Sequence, residues 1–145
     1  MILILNGPNL NMLGVREPHI YGTATLADIK TLCAERAARY GFTIDFRQSN
    51  HEGVLIDWIQ DARGKATAVI INAAAYTHTS LAIQDALKLL EVPIIEVHLS
   101  EPKKREAFRH HSYIEPLTAA VFAGFGPESY GKALDHLSTL ISHNS

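Results

Sequence analysis

Cysteine is scarce in this 145-residue chain, and its scarcity excludes several classes of protein. The single thiol, Cys33, can form no disulfide within the chain and cannot supply a cysteine-rich zinc site. A lone free thiol favours a reducing compartment, and the N-terminus lacks the basic region, apolar core and cleavage site of a signal peptide. We therefore expect a cytoplasmic protein.

Long apolar runs and an excess of positive charge are also absent. No apolar run approaches the ~20 residues of a membrane-spanning helix, and the net charge of −2 disfavours nucleic acid and anionic membranes as partners. Gly7-Pro8 is not followed by the Gly-Lys-Ser/Thr of a phosphate-binding loop, and no GxGxxG motif follows a strand. The sequence therefore contains neither of these nucleotide-binding motifs, and no motif in it indicates that the protein binds a nucleotide or a dinucleotide.

Short apolar segments alternate with segments of helical periodicity along the chain. The apolar segments predict five strands, at Ile2–Asn6, Thr43–Arg47, Ala68–Asn72, Ile94–His98 and Ala119–Ala123. Helices are predicted at Leu26–Tyr40, at Glu52–Ala62, from Thr79 or Ser80 to before Pro93, after Pro102, and at Pro127–Ser142. This alternation predicts an α/β domain over residues 1–145: a flavodoxin-like, doubly wound, five-stranded parallel sheet, order 2-1-3-4-5, with helices on both faces.

A long polar insertion follows the first strand. Connections of this length at the end of a buried strand are usually functional, so we expect residues 10–24 to form an active-site lid. The segment and the residue before it carry the amide of Asn9, the guanidinium of Arg16 and the phenol of Tyr21. These groups suit proton chemistry beside an oxygen-rich ligand.

Polar groups follow several of the predicted strands, and this fold binds its ligands beyond the carboxyl ends of its strands. The groups expected to converge there are Asn9, Arg16 and Tyr21 after strand 1, Asn50–Glu52 after strand 2, Asn72, Tyr76 and His78 after strand 3, and His98–Ser100 at strand 4. The two-residue period of a strand places Glu96 and His98 on one face, where Glu96 can fix the imidazole tautomer. The backbone at Leu99–Ser100 suits an anion.

Other residues have simpler explanations when taken alone. Asp85 is then a solvated carboxylate, and Arg109 a favourable charge at the end of a short helix. The adjacent His110 and His111 point apart on a helix and no HExxH motif is present, so we expect no metal site. The side chains of Cys33, Trp58 and Met12 are assigned to the core.

Taken together, these residues closely resemble type II 3-dehydroquinate dehydratases. The resemblance is carried by GPNLNMLGVREPHIYG (7–22), QSNHEG (48–53), NAAAYTHTS (72–80) with Asp85, EVHLS (96–100) and REAFRHHS (105–112). It implies elimination of water from 3-dehydroquinate to give 3-dehydroshikimate, with anti geometry, through an enolate and without cofactor or metal. The reaction belongs to the shikimate or quinate pathway.

The resemblance also implies a role for each residue. Tyr21 would be the base, with Arg16 beside it to favour the phenolate. Asn9 and a water would stabilise the enolate. His98, oriented by Glu96, would protonate the departing hydroxyl. The substrate carboxylate would bind to Asn72 and the Leu99–Ser100 backbone, and the ring hydroxyls to His78 and Arg109.

Family members assemble as dodecamers, tetramers of trimers, in which the equivalent of Asp85 reaches a neighbouring subunit's site. Two positions depart from the common pattern. Ala73 stands where the family often has Pro, and Glu101 where Asn is common. A carboxylate at Glu101 would weaken anion binding if it pointed inward, so we expect it to face solvent.

Two alternatives remain open from the sequence. One is a flavin- or nucleotide-binding module on the same fold, which coloured protein would indicate. The other is a binding or assembly protein that kept the lid without the chemistry.

Overall fold

The computed structural model describes residues 1–15, 19 and 23–141, which contain a five-stranded parallel sheet. The strands are β1 (Ile2–Asn6), β2 (Ile44–Gln48), β3 (Ala68–Asn72), β4 (Ile94–His98) and β5 (Ala120–Ala123), in the order β2-β1-β3-β4-β5. The α-helices are α1 (Leu26–Arg39), α2 (Glu52–Ala62), α3 (Leu81–Leu87) and α4 (Glu128–Leu140). The predicted fold and strand order are confirmed.

Most predicted boundaries agree with the structure to within one or two residues. β1, β3, β4 and α2 have the predicted bounds, whereas β2 and β5 each begin one residue later than predicted. Thr25 opens α1 through the predicted capping box, because its hydroxyl accepts the Asp28 N–H and the Asp28 carboxylate accepts the Thr25 N–H. The predicted helix after Pro102 is a 3-10 turn, Pro102–Lys104.

Two apolar layers cover the sheet. Alternate strand residues pack against α1 and α4 on one face: Ile2, Ile4, Ala68, Ile70, Ile95 and Val97. Their neighbours pack against α2 and α3 on the other face: Leu3, Leu5, Val69, Ile71 and Ile94. The continuous apolar runs of β1 and β3 are therefore explained by burial on both faces.

The three residues assigned to the core have different environments. Cys33 is fully buried, and Trp58 is half-buried beneath the Arg47 guanidinium, which lies 5.2 Å from its ring. The assignment of Met12 was wrong, because 46% of this residue is exposed. It belongs to the 3-10 turn Leu10–Met12, in which Leu10 supplies the buried side chain.

The register of the strands aligns their carboxyl ends. Asn6 at the end of β1 pairs with Gln48 of β2 on one side and with Asn72 of β3 on the other. The polar residues that end these strands therefore lie along one edge of the sheet. Among the described helices, none combines the length and apolarity needed to cross a bilayer.

Candidate active site

A cleft opens at the carboxyl edge of the sheet and brings together most of the predicted site residues. It is lined by Asn9, Asn72, His78, His98, Leu99, Ser100 and Arg109, together with Pro8, Leu10, Leu13, Ala74, Ala75, Pro102 and Arg105. Arg16 and Tyr21 lie outside the described residues. We refer to this space as the cleft.

His98 and Glu96 form a buried pair at the end of β4. Glu96 Oε2 lies 2.6 Å from His98 Nε2, and the two residues are 1% and 7% exposed. Their side chains emerge on one face of β4, as the period of the strand predicts. Because a carboxylate only accepts, His98 Nε2 carries the proton in this contact and Nδ1 is left for a ligand.

A buried hydrogen-bonded relay holds the amide of Asn72. Asn72 Nδ2 donates to the Tyr130 hydroxyl at 2.9 Å, and that hydroxyl donates to Asn6 Oδ1 at 2.6 Å. Asn72 Oδ1 accepts the N–H of Ala74 at 3.2 Å, where the backbone has a positive φ of 53°. Burial raises the pKa of the Tyr130 phenol, so this hydroxyl keeps its proton and remains a donor. One amide hydrogen of Asn72 is left for the cleft.

The chain entering the long insertion is fixed against the ends of β2 and β3. Asn9 has a left-handed backbone (φ 69°), and its N–H donates to Asn50 Oδ1 at 2.9 Å. Gln48 Nε2 donates to the Gly7 carbonyl at 3.1 Å. A Cβ at Gly7 would lie 2.4 Å from the Ala73 carbonyl oxygen, so glycine permits the close approach of these two segments. Asn9 is thereby held at the rim.

His78 presents a neutral imidazole to the cleft. Its Nδ1 lies 2.8 Å from the His111 carbonyl oxygen, which makes Nδ1 the donor and Nε2 the acceptor. Desolvation lowers the pKa of His78, with His98 and Arg109 acting in the same direction, and outweighs the hydrogen bond to His111 and the charge of Glu96, which raise it. The free Nε2 can therefore accept a hydrogen bond from a ligand hydroxyl.

Two arginines, Arg105 and Arg109, line the cleft. Arg109 Nε donates to Glu106 Oε2 at 2.8 Å, and its guanidinium lies 5.3 Å from the Phe108 ring. The sequence assigned no role to Arg105, although it lies in the REAFRHHS motif four residues before Arg109. Both guanidinium groups suit carboxylate or hydroxyl oxygens of a ligand.

One oxygen of the Glu101 carboxylate is engaged in a local hydrogen bond. Its Oε1 accepts the N–H of Lys103 at 3.1 Å and caps the turn Pro102–Lys104. The residue is half-buried, whereas we expected it to face solvent.

Asp85 lies apart from the cleft. Its side chain on α3 is 67% exposed, and its nearest described cation is Lys88 Nζ at 3.9 Å. Among the described residues, no group of three or more His, Cys, Asp or Glu side chains is arranged to hold a metal ion. His110 Nε2 is engaged with the Arg105 carbonyl at 2.9 Å, and the His111 ring packs edge-on against Tyr113.

This arrangement supplies a proton donor and several fixed polar groups around a small cavity. An imidazole backed by a carboxylate can protonate a leaving group, while amides and guanidinium groups stabilise negative charge on oxygen. Such a cleft fits a small, hydroxylated carboxylic acid.

Comparisons with known proteins agree with that chemistry. A family model described as dehydroquinase class II matches residues 1–138. The chain is 54% identical over 137 residues to the 3-dehydroquinate dehydratase 2 of Pseudomonas aeruginosa, covering 94% of this chain and 93% of the relative. It is 56% identical over 138 residues to the 3-dehydroquinate dehydratase of Azorhizobium caulinodans, covering 95% and 93%. The crystal structure of a type II dehydroquinase from Propionibacterium acnes superposes with a TM-score of 0.91 at 44% identity, covering 95% of each chain.

Proposed function

The chain belongs to the class II dehydroquinase family, and from this premise we infer that it is a hydro-lyase that removes water from 3-dehydroquinate. The product is the conjugated enone 3-dehydroshikimate, an intermediate of the shikimate or quinate pathway. The observation that carries the proposal is the buried Glu96–His98 pair opening onto a cleft with Asn9, Asn72 and His78.

We propose that the reaction is an anti elimination through an enolate. The Tyr21 phenolate removes a proton from the carbon next to the ketone, and the electron pair moves onto the ketone oxygen. As the enolate returns to a ketone, the carbon–oxygen bond to the leaving hydroxyl breaks. His98, as the imidazolium, gives that hydroxyl its Nδ1 proton, so that it departs as water, and keeps Nε2–H toward Glu96. Tyr21 then carries one proton more and His98 one fewer, and exchange with solvent restores both.

Fixed donors in a water-poor cavity stabilise the developing charge. A unit-charge contact at ~4 Å is worth about 1 kcal/mol in water and about 4 kcal/mol at an effective dielectric of ~20. Arg16 therefore favours the Tyr21 phenolate most when the lid, residues 10–24, has displaced water. Asn9, with a bound water, is the proposed donor to the enolate oxygen.

The remaining cleft residues hold the substrate in this proposal. Its carboxylate binds to the Asn72 amide and the Leu99–Ser100 backbone, while the ring hydroxyls bind to His78 and Arg109. The relay from Asn6 supports the first assignment, because it fixes Asn72 with one amide hydrogen still available. The neutral His78 supports the second, because its Nε2 is an acceptor.

The working form of the enzyme is proposed to be a cytoplasmic dodecamer, a tetramer of trimers. Asp85 supports an assembled site, because its exposed carboxylate has no use in the cleft of its own chain. In the dodecamer Asp85 would reach the cleft of a neighbouring subunit.

The decisive experiment compares two tyrosine variants in an enone assay. Purified protein with 3-dehydroquinate should show a rise in ultraviolet absorbance, and the rise should persist with EDTA present. Tyr21→Phe should lower kcat by a factor of about 100 or more, since general-base catalysis contributes ~10²–10⁴-fold. Tyr40→Phe is the matched control, because the Tyr40 hydroxyl bonds to Asp135 and neither residue lines the cleft.

Turnover by Tyr21→Phe at the parent rate would refute the base assignment. An absence of turnover in the parent protein would instead favour the non-catalytic alternative. Arg16→Lys should lower kcat while keeping the charge, because lysine lacks the planar fork of the guanidinium.

A further inference from the structure

The hydroxyl of Ser112 contacts the carboxylate that holds His98. Ser112 Oγ lies 2.9 Å from both oxygens of Glu96, and Glu96 Oε2 lies 2.6 Å from His98 Nε2. We propose that Ser112 is a positioning residue for the dehydration, fixing the Glu96 carboxylate so that His98 keeps Nε2–H toward Glu96 and Nδ1 toward the substrate. The inference rests on the proposed role of His98 as the acid.

The backbone that follows Ser112 determines where its hydroxyl proton points. Ser112 Oγ accepts the N–H of Ile114 at 3.1 Å and the N–H of Glu115 at 3.0 Å. A hydroxyl has one proton and two acceptor lone pairs, so both acceptor sites are occupied. The proton is therefore left for Glu96.

Burial makes this contact important for Glu96. Glu96 is 1% exposed, and a buried carboxylate is costly unless it is hydrogen-bonded. Its side-chain partners among the described residues are His98 and Ser112. The terminal torsion of a glutamate is broad, so a carboxylate held by His98 alone can rotate. Rotation of the Glu96 carboxylate removes the fixed acceptor at His98 Nε2. The neutral imidazole is then no longer held in the Nε2–H tautomer alone.

The chain contains a matched control for this arrangement. The Ser80 hydroxyl also accepts a backbone N–H, that of Ile83 at 2.9 Å, and also donates to a carboxylate, that of Glu52. Neither Ser80 nor Glu52 lines the cleft. Ser80→Ala therefore removes the same kinds of hydrogen bond without touching the Glu96–His98 pair.

Steady-state kinetics and nitrogen NMR of ¹⁵N-histidine-labelled protein test the proposal on Ser112→Ala, Ser112→Thr and Ser80→Ala. Ser112→Ala should lower kcat about 10-fold with KM within about twofold, because positioning of an acid acts in the transition state. Ser112→Thr keeps the hydroxyl and should restore kcat, and Ser80→Ala should match the parent. At a pH where the imidazole is neutral, the His98 signal, assigned through its loss in His98→Asn, should show the Nε2–H tautomer alone in the parent and a mixture in Ser112→Ala.

The outcomes separate this inference from the function on which it rests. A parent-like kcat or an unchanged tautomer in Ser112→Ala overturns the positioning role. An equal fall in kcat for Ser80→Ala also overturns it, because general destabilisation then explains both variants. If the parent protein yields no enone but Ser112→Ala still mixes the tautomers, the proposed function fails and the positioning of His98 stands.

Discussion

Removing the Tyr130 hydroxyl should destabilise the fold and weaken substrate binding together. The hydroxyl is buried between Asn6 and Asn72, which are 0% and 3% exposed. In Tyr130→Phe the ring still fills its site, but Asn6 Oδ1 loses a donor and Asn72 Nδ2 loses an acceptor. Each buried polar group left without a partner costs about 1–3 kcal/mol, so we expect the two groups together to cost about 2–6 kcal/mol.

Urea unfolding at fixed protein concentration measures this loss. With a denaturant slope of about 2 kcal/mol per M, the middle of the range for small proteins, the midpoint should fall by about 1–3 M while the slope is unchanged. Tyr40→Phe is the control, because the Tyr40 hydroxyl donates to Asp135 in a half-exposed position. Its midpoint should fall by less.

Kinetics then test whether the relay serves the site. Asn72 is proposed to bind the substrate carboxylate, which carries its charge throughout the reaction. A looser Asn72 therefore removes binding that substrate and transition state share, and KM should rise more than kcat falls. A midpoint equal to that of the parent would refute the stabilising role of the relay. A lower midpoint with unchanged KM would show that the relay stabilises the fold without orienting Asn72.

Three further predictions follow from buried or bridging groups. Burial raises the pKa of the Cys33 thiol to about 12, so above its ordinary pKa of about 8.5 the unfolded chain ionises first. The free energy of unfolding should then fall by about 2 kcal/mol by pH 10, and Cys33→Ala should abolish that pH dependence in urea titrations. Desolvation lowers the pKa of His78, so the stability that the neutral imidazole contributes is present above about pH 6.5 and is lost as the pH falls through the folded-state pKa. Between pH 7 and 5 the free energy of unfolding of His78→Gln should therefore decrease less steeply than that of the parent protein. Arg36 bridges Glu128 and Asp135 at 2.6 and 2.7 Å, so Arg36→Met should destabilise by about 1 kcal/mol at low salt and by less in 1 M NaCl, and an equal loss at both salt concentrations would contradict an ionic role.

The fold was predictable because strands buried on both faces of a sheet are continuous apolar runs in the sequence. Val69–Ile71 is apolar without interruption, and the structure buries it between two helical layers. The starts of two helices were also predictable from the sequence, because the capping box at Thr25 and the cap at Ser80 are hydrogen bonds between residues three positions apart. Met12 was misassigned because one apolar residue in a short turn has no periodicity to show which side it faces.

The site was predictable only where local geometry or strand order fixes it. The pairing of Glu96 with His98 follows from the period of β4, and the alignment of Asn6 with Asn72 follows from parallel neighbours. The contact of Tyr130 with Asn6 spans 124 residues and depends on how α4 packs across the sheet. The periodicity of the sequence does not show where α4 crosses the sheet, so this contact could not be predicted.

The two halves of the proposed reaction place different demands on the chain. The proposed acid, His98, and the proposed substrate-binding amide, that of Asn72, lie at strand ends. Each residue is less than a tenth exposed and is held by a second buried side chain. Groups fixed in this way stabilise charge without reorganising during the reaction. The base must meet the substrate from the other side after it has entered, so a residue on a connecting segment, Tyr21, suits that task. Substitutions behind the strand ends, such as those of Ser112 and Tyr130, should therefore alter catalysis without touching the substrate.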